Sequence, residues 1–357
     1  MSKIFGLAGL SASDYQFVRK ADQRLIYAAI NQLAARVNND MTDSIKLFVQ
    51  ETTQVYTERY QLPGSGYMQR RADGARGPAV KAHGSWDVAY PLYDYGEQVA
   101  ATDIEMAYMT PAELDRHVQT VINGYQNAVR RDILTALLIA TNVTYTDKRN
   151  GTLTCVPLAN GDSVTYPPVL GAVAEATENH YIESNYAASA ISDTNDPIVT
   201  IVDELEEHFG TITGGSNIAV FINNAQTAKI TGLTNFVDWT DRGVNEGSNT
   251  ATVNGRPDIP GKILGRHRSG AWVSEWRWMP ANYVTGIHLE APAPLKQRVD
   301  PVETGLPQGL ALVSNTAEYP LEAAEWRARF GFGVANRLNG VVVELGTGGT
   351  YTAPTII

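Results

Sequence analysis

The stretch from Gln54 to Ala140 constrains this chain most. Two strand-like runs, Gln54–Leu62 and Ser85–Gln98, flank a Gly/Arg-rich tip from Pro63 to Gly84 and lead into a long capped helix. The helix begins at Thr110-Pro111-Ala112-Glu113. Thr110 can cap, Pro111 suits the first helical position, and Glu113 can reach back to the cap amide. Leu114, Val118, Ile122, Tyr125, Val129, Ile133, Leu137 and Ala140 then recur three or four apart, which predicts one buried helix face. A two-stranded arm is marginal alone in water. An arm this long, before so sturdy a helix, predicts a subunit that reaches out and packs on its neighbours.

Composition narrows the class. The 357 residues are 43% hydrophobic and 18% charged, which fits about two globular domains or one elaborate one. The net charge of −10 argues against a surface built to grip nucleic acid. Cys155 is the only cysteine, so no internal disulfide or cysteine-based metal cluster can form, and it reads as a small apolar strand residue. The N-terminus lacks the apolar core and cleavage site of a signal peptide, and no run of eighteen apolar residues exists, so no membrane partner is expected. Asn150-Gly151 reads as a hairpin turn rather than a glycosylation site.

Further elements follow along the chain. A helix is expected from Ser13 or Asp14 to Asn38, stopped by Asn38-Asn39-Asp40, with Ile45–Tyr60 strand-like after it. Val143–Tyr166 reads as short strands turning at Lys148–Gly151 and Asn160–Asp162. Ala172–Ser189 reads as mostly helical. Asp196-Pro197 opens a helix over Ile198–Phe209, with Ile198, Ile201, Val202 and Leu205 inward and Asp203, Glu204, Glu206 and Glu207 outward. Ile218–Ile222 is a buried-type strand, Asn223–Thr231 a capped helix, and Phe236–Pro260 a polar surface loop. Lys262–Arg266, Ala271–Trp276, Tyr283–Leu289, Leu310–Ser314, Glu325–Phe332 and Gly340–Leu345 read as strands.

Catalytic patterns are absent from the sequence. Gly64-Ser65-Gly66 lacks the spacing of a nucleophile elbow, and Gly346-Thr347-Gly348-Gly349 has no helix after it to bind phosphate, so it reads as a tail linker. The six histidines, His83, His117, His180, His208, His267 and His288, are scattered, and none forms a helical zinc motif. Glu204, Glu206 and Glu207 read as a solvated helix face. Trp272, Trp276 and Trp278 alternate, which predicts one shared strand face for packing. No catalytic, cofactor-binding or metal-binding residue is therefore assigned, no cofactor is expected, and the chain does not read as an enzyme. Arg70, Arg71, Arg76 and Lys81 make the arm tip a positive patch on an acidic protein, suited to an acidic face of an identical neighbour.

The order of these elements resembles the major capsid protein of tailed double-stranded DNA phages, the Hong Kong 97-type family. Thr110–Ala140 is similar to its spine helix, Gln54–Ile104 to its extended loop, and Arg329–Leu345 to its closing strand and turn. The resemblance implies an α+β fold with an N-terminal arm and helix over 1–53, an extended two-stranded loop over 54–104, and a tail over 346–357. It implies a peripheral domain of 103–167 plus 281–345, and an axial domain of 168–280 whose central loop is Phe236–Pro260. The implied role is a structural shell subunit of the virion, assembled in the bacterial cytoplasm into hexamers and pentamers around packaged double-stranded DNA. Its implied partners are itself, a separate scaffold protein, a portal and a possible cement protein, with only non-specific proximity to DNA. The Met1 start favours a separate scaffold over a fused one. Some members of the family join a loop lysine to a neighbour's asparagine, for which Lys81, Asn336 and Asn339 are the candidates here. An encapsulin-type compartment shell and an α/β enzyme with an oligomerisation arm are the alternatives.

Overall fold

The computed structural model describes residues 23–61, 70–71, 73–74, 76, 85–100, 108–170, 172, 174–210, 217–238, 259–313 and 323–356. Helix α1, Gln23–Ile45, runs straight through Asn38-Asn39-Asp40, where the sequence predicts a stop. The part of that expected helix before residue 23 lies outside the described residues. Asn38 clamps the helix to a strand instead of ending it. Its Nδ2 donates to the Leu310 carbonyl at 3.0 Å, and its Oδ1 accepts from the Leu310 N–H at 2.9 Å. Met41 and Ile45 are buried beyond it. Tertiary contacts thus override a weak local preference against helix.

Helix α2, Pro111–Leu138, carries the predicted capping box. Thr110 Oγ1 accepts from Glu113 N at 3.4 Å, and Glu113 Oε2 accepts from Thr110 N at 2.8 Å. Leu114, Val118, Ile122, Tyr125, Val129, Ile133 and Leu137 are all buried, as the spacing predicts. They join one core with α1 and the five-stranded sheet. Ala140 lies just past the helix and is partly buried.

That sheet combines β1 (Val49–Thr53), β4 (Tyr93–Ala100), β13 (Leu295–Arg298), β14 (Gly309–Val313) and β15 (Ala323–Val334). The run Ser85–Gln98 is not one strand. It breaks at Tyr90-Pro91-Leu92 into β3 (Ser85–Ala89) and β4, and β4 pairs antiparallel with β15 from Tyr93↔Phe330 to Ala100↔Ala323. Pro91 has no N–H for a ladder, so the break falls there. Ile45–Tyr60 divides likewise into β1, parallel to β13, and β2 (Thr57–Gln61), which pairs with β3. β5 (Val143–Asp147) and β6 (Gly151–Cys155) form the predicted hairpin, with Gly151 at φ 76° in its turn. Cys155 is buried in β6, and burial pushes its thiol up to about 11.

The second sheet has the order β7-β16-β12-β8-β11-β10-β9. These strands are β7 (Tyr181–Glu183), β8 (Ile218–Ile222), β9 (Phe236–Asp238), β10 (Lys262–His267), β11 (Trp272–Glu275), β12 (Tyr283–His288) and β16 (Val341–Glu344). Residues 239–258 of the expected polar loop lie outside the described residues. Helix α3, Pro197–Phe209, is capped by Asp196, whose Oδ1 accepts from Ile198 N at 2.9 Å. Its inward residues Ile198, Ile201, Val202 and Leu205 are buried as predicted. Gly286 in β12 makes room for it, since a Cβ there would lie 2.0 Å from the Ile201 side chain. Helix α4, Asn224–Ile230, is capped by Asn223.

Three further expectations are corrected. Ala172–Ser189 is not helical: it holds β7, parallel to β16, and a single turn of 3-10 helix at Ala188–Ala190. Long-range bonds from Val342 N to His180 O and from Ser184 N to Glu344 O outweigh its helical pattern. The three tryptophans do not share a strand face. Trp272 is in β11, Trp276 stacks on Phe48 beyond it, and Trp278 is 43% exposed under the Arg130 guanidinium. The tail is not a loose linker either. Gly348 and Gly349 N–H groups donate to the Glu183 carboxylate, and the Tyr351 hydroxyl donates to Leu138 O at the end of α2.

Asn38→Ala is expected to cost about 2 kcal/mol, because it strands both backbone groups of Leu310. Urea denaturation of the purified chain checks this. A change within error would mean that water replaces the clamp.

Candidate assembly surface

The arm of β2 and β3 stands on its own subunit through its inner face. Strand alternation turns Trp86 and Val88 inward, and both are buried, while Arg59 and Asp87 form an exposed bidentate pair at 2.6 and 2.7 Å. Trp86 stacks on Tyr60, with ring centroids 5.5 Å apart, and meets Tyr166 at the same spacing. The root of the arm therefore borrows its core from Tyr166 and Ala335. This supplies what an isolated hairpin lacks.

A charged node pins the same root. Glu58 Oε2 accepts from Lys296 Nζ at 2.8 Å, from the Tyr60 hydroxyl at 2.8 Å and from the Tyr90 hydroxyl at 3.0 Å. Lys296 also pairs with Glu51 at 2.7 Å and is 7% exposed. Burial alone would raise the Glu58 carboxyl. The hydrogen bonds from Lys296, Tyr60 and Tyr90 outweigh burial and hold it below the usual carboxylate range. Burial would lower the Lys296 ammonium, but Glu51 and Glu58 hold it above its ordinary value.

At the tip, Arg70, Arg71, Asp73 and Arg76 are exposed. Lys81 and most of Pro63–Gly84 lie outside the described residues. Asn339 is fully buried: its Oδ1 accepts from His288 N, and its Nδ2 donates to the carbonyls of His288 and Pro292. It is a structural turn residue, closed to chemistry with a neighbour. Asn336 is half-buried and donates to Pro292 O at 2.9 Å.

The acidic face of α3 departs from expectation. Asp203 is exposed, but Glu204, Glu206 and Glu207 are half-buried. Burial and the charges of Glu207 and Glu178 push Glu204 up to about 7. Two of the six histidines also meet here, with His180 Nε2 3.1 Å from His208 Nε2. Two local spacings carried this signal. Glu178 and His180 are two apart on an extended segment, and Glu204, Glu207 and His208 fall on one helix face. Nothing in the sequence says that the two segments meet.

No family model matches this chain, and no curated protein does. Among solved structures, a chain of Mycobacterium phage Patience superposes with a TM-score of 0.66 at 20% identity, covering 94% of this chain and 92% of that one. The mature capsid of bacteriophage PhiM1 gives 0.47 at 10% identity, covering 84% and 86%. The capsid of a native GTA particle gives 0.46 at 11% identity, covering 85% and 90%. The first likeness establishes the fold. It is the mixed α+β, Hong Kong 97-type fold, with the long helix and extended hairpin in their expected order. Among the described residues no helix is long and apolar enough to cross a membrane.

The Glu58 node gives a pH-dependent prediction. A carboxyl depressed in the folded state stabilises above its ordinary value of about 4.5, and the contribution is lost as pH falls through the lower folded value. Near neutral pH, Glu58→Gln is expected to speed hydrogen exchange of the β2 and β3 amides about tenfold. At acid pH, below that folded value, the variant and the parent should converge. Equal exchange at neutral pH would show that the node does not hold the arm.

Proposed function

We propose that this chain is a major capsid protein: a structural subunit, not an enzyme, that assembles into hexamers and pentamers of an icosahedral shell around packaged double-stranded DNA. The observation that carries this reading is a fold shared along nearly the whole chain with a phage protein. The arm supports it. Its root is fastened to the subunit by Trp86, Glu58 and Lys296, while its tip exposes Arg70, Arg71 and Arg76. A fastened root with a charged tip suits docking between copies, and on a chain of net charge −10 the complementary surface is an acidic face of a neighbour. The net negative charge also lets a shell hold DNA without adhering to it.

In this reading 168–280 is the axial domain and 103–167 with 281–345 the peripheral one, with β12 and β16 of the latter lying inside the sheet of the former. A scaffold protein, a portal and a cement protein are the further partners, and the virion is the location.

Electron microscopy and sedimentation of the expressed chain, alone and with its genomic neighbours, test the assignment. Closed shells or capsomers are expected, and a folded monomer that never assembles would overturn it. Deleting Pro63–Gly84 with a two-residue turn in its place should leave circular dichroism unchanged and stop assembly. Normal particles would remove the docking role. Reversing Arg70, Arg71 and Arg76 to Glu should likewise spare folding, because exposed charges add little to subunit stability. Particle yield should fall most at low ionic strength, where repulsion is least screened. Wild-type yield at low salt would make the tip a solvated loop.

A further inference from the structure

Glu178 and His180 leave the same side of the extended segment that enters β7, and Glu207 and His208 lie on the last turn of α3. The fold packs these two segments together. Oxygens of Glu178 and Glu207 and a ring nitrogen of His208 lie within 4.8 Å of one another. Nε2 of His208 is 3.7 Å from Glu207 Oε1 and 3.1 Å from Nε2 of His180. Nδ1 of His180 is 2.8 Å from the Gly340 carbonyl oxygen. A carbonyl only accepts, so Nδ1 carries the proton, and Nε2 directs its lone pair at His208. Metal-ligating histidines are oriented by this same bond from the far ring nitrogen to a carbonyl. Two nitrogens bound to zinc at about 2.0–2.1 Å and a tetrahedral angle sit about 3.3 Å apart, close to the spacing seen here.

We propose that Glu178, Glu207 and His208, whose ligand atoms already lie together, bind one divalent transition-metal ion, and that His180 turns its Nε2 from His208 onto the ion as the fourth ligand, zinc being the best match to two imidazoles and two carboxylates. This donor set selects against calcium and magnesium, which favour all-oxygen sites. Among the described residues no lysine or arginine forms an ion pair with Glu178, Glu204 or Glu207, and the buried Arg337 is paired with Asp162 at 2.8 Å. In the metal-free chain the His208 Nε2–H donates to His180 Nε2. Metal binding moves that proton to His208 Nδ1. The bound ion would tie the entrance of β7 to the C-terminal end of α3, two segments otherwise distant in sequence.

The test uses the full chain, stripped with chelator and dialysed. Calorimetric titration with Zn²⁺ should give one ion per subunit, and Co²⁺ should give the intense visible absorption of a tetrahedral site, which Zn²⁺ then displaces. His208→Gln should weaken Zn²⁺ binding about 100-fold, and Glu178→Gln about tenfold, while Glu206→Gln on the same helix should leave it unchanged. Circular dichroism controls for folding. Because Glu178 is half exposed, its variant keeps the test decisive if His208→Gln does not fold. Absence of stoichiometric binding, or binding unaltered by both substitutions, would overturn the site and leave a simple His–His hydrogen bond.

Discussion

A buried ion pair between strand β13 and the β5–β6 hairpin positions much of this molecule. Arg298 at the end of β13 donates to Asp147 Oδ2 at 2.7 Å and to the Tyr90 carbonyl at 2.8 Å. Asp147 also accepts the N–H groups of Arg149 and Asn150, so the same carboxylate closes the β5–β6 turn. Both side chains are almost fully buried. Removing one partner of such a pair strands the other charge, at a cost of about 3–5 kcal/mol. Two residues earlier on the same strand, Lys296 holds Glu51 and Glu58. Residues two apart share a strand face. One face of β13 thus fastens the hairpin, the crossing chain at Tyr90 and the root of the arm.

Strand β15 works through shape rather than charge. Phe330 and Phe332 alternate with Gly331 and Gly333. The phenyl rings enter the core, where Phe330 stacks on Tyr95 at 4.8 Å and meets Tyr125 of α2 edge-on at 5.7 Å. The glycines lie where the segment from Ala89 to Pro91 crosses, and a Cβ at Gly331 would sit 2.2 Å from the Pro91 carbonyl oxygen. Helix α2 is held from one face of the strand, and the arm's path into β4 from the other. The root of the arm is thereby braced on its own subunit.

Much was legible from local pattern alone. The capping box at Thr110 and Glu113, the buried stripe of α2, the inward face of α3, the all-apolar β8 and the turn at Gly151 follow from interactions within a few residues, so the sequence contains their cause. The whole-chain order of elements, read by resemblance, led to the correct fold class. Strand β13 was not legible: Leu295-Lys296-Gln297-Arg298 is polar, and it is buried because Glu51, Glu58 and Asp147 arrive from elsewhere.

The sequence by itself determined α2, α3 and α4 with their caps and the β5–β6 hairpin, because backbone hydrogen bonds and apolar periodicity within one segment settle them. Tertiary structure alone decided where α1 ends, that Ala172–Ser189 is extended, and that Glu178 and His180 meet Glu207 and His208. In each case the deciding partner lies far away in the chain: Leu310 for Asn38, β16 for β7, and the end of α3 for the segment entering β7. Local preference is worth tenths of a kcal/mol per residue. A buried, satisfied contact outweighs it, and no window of sequence contains both sides of that contact.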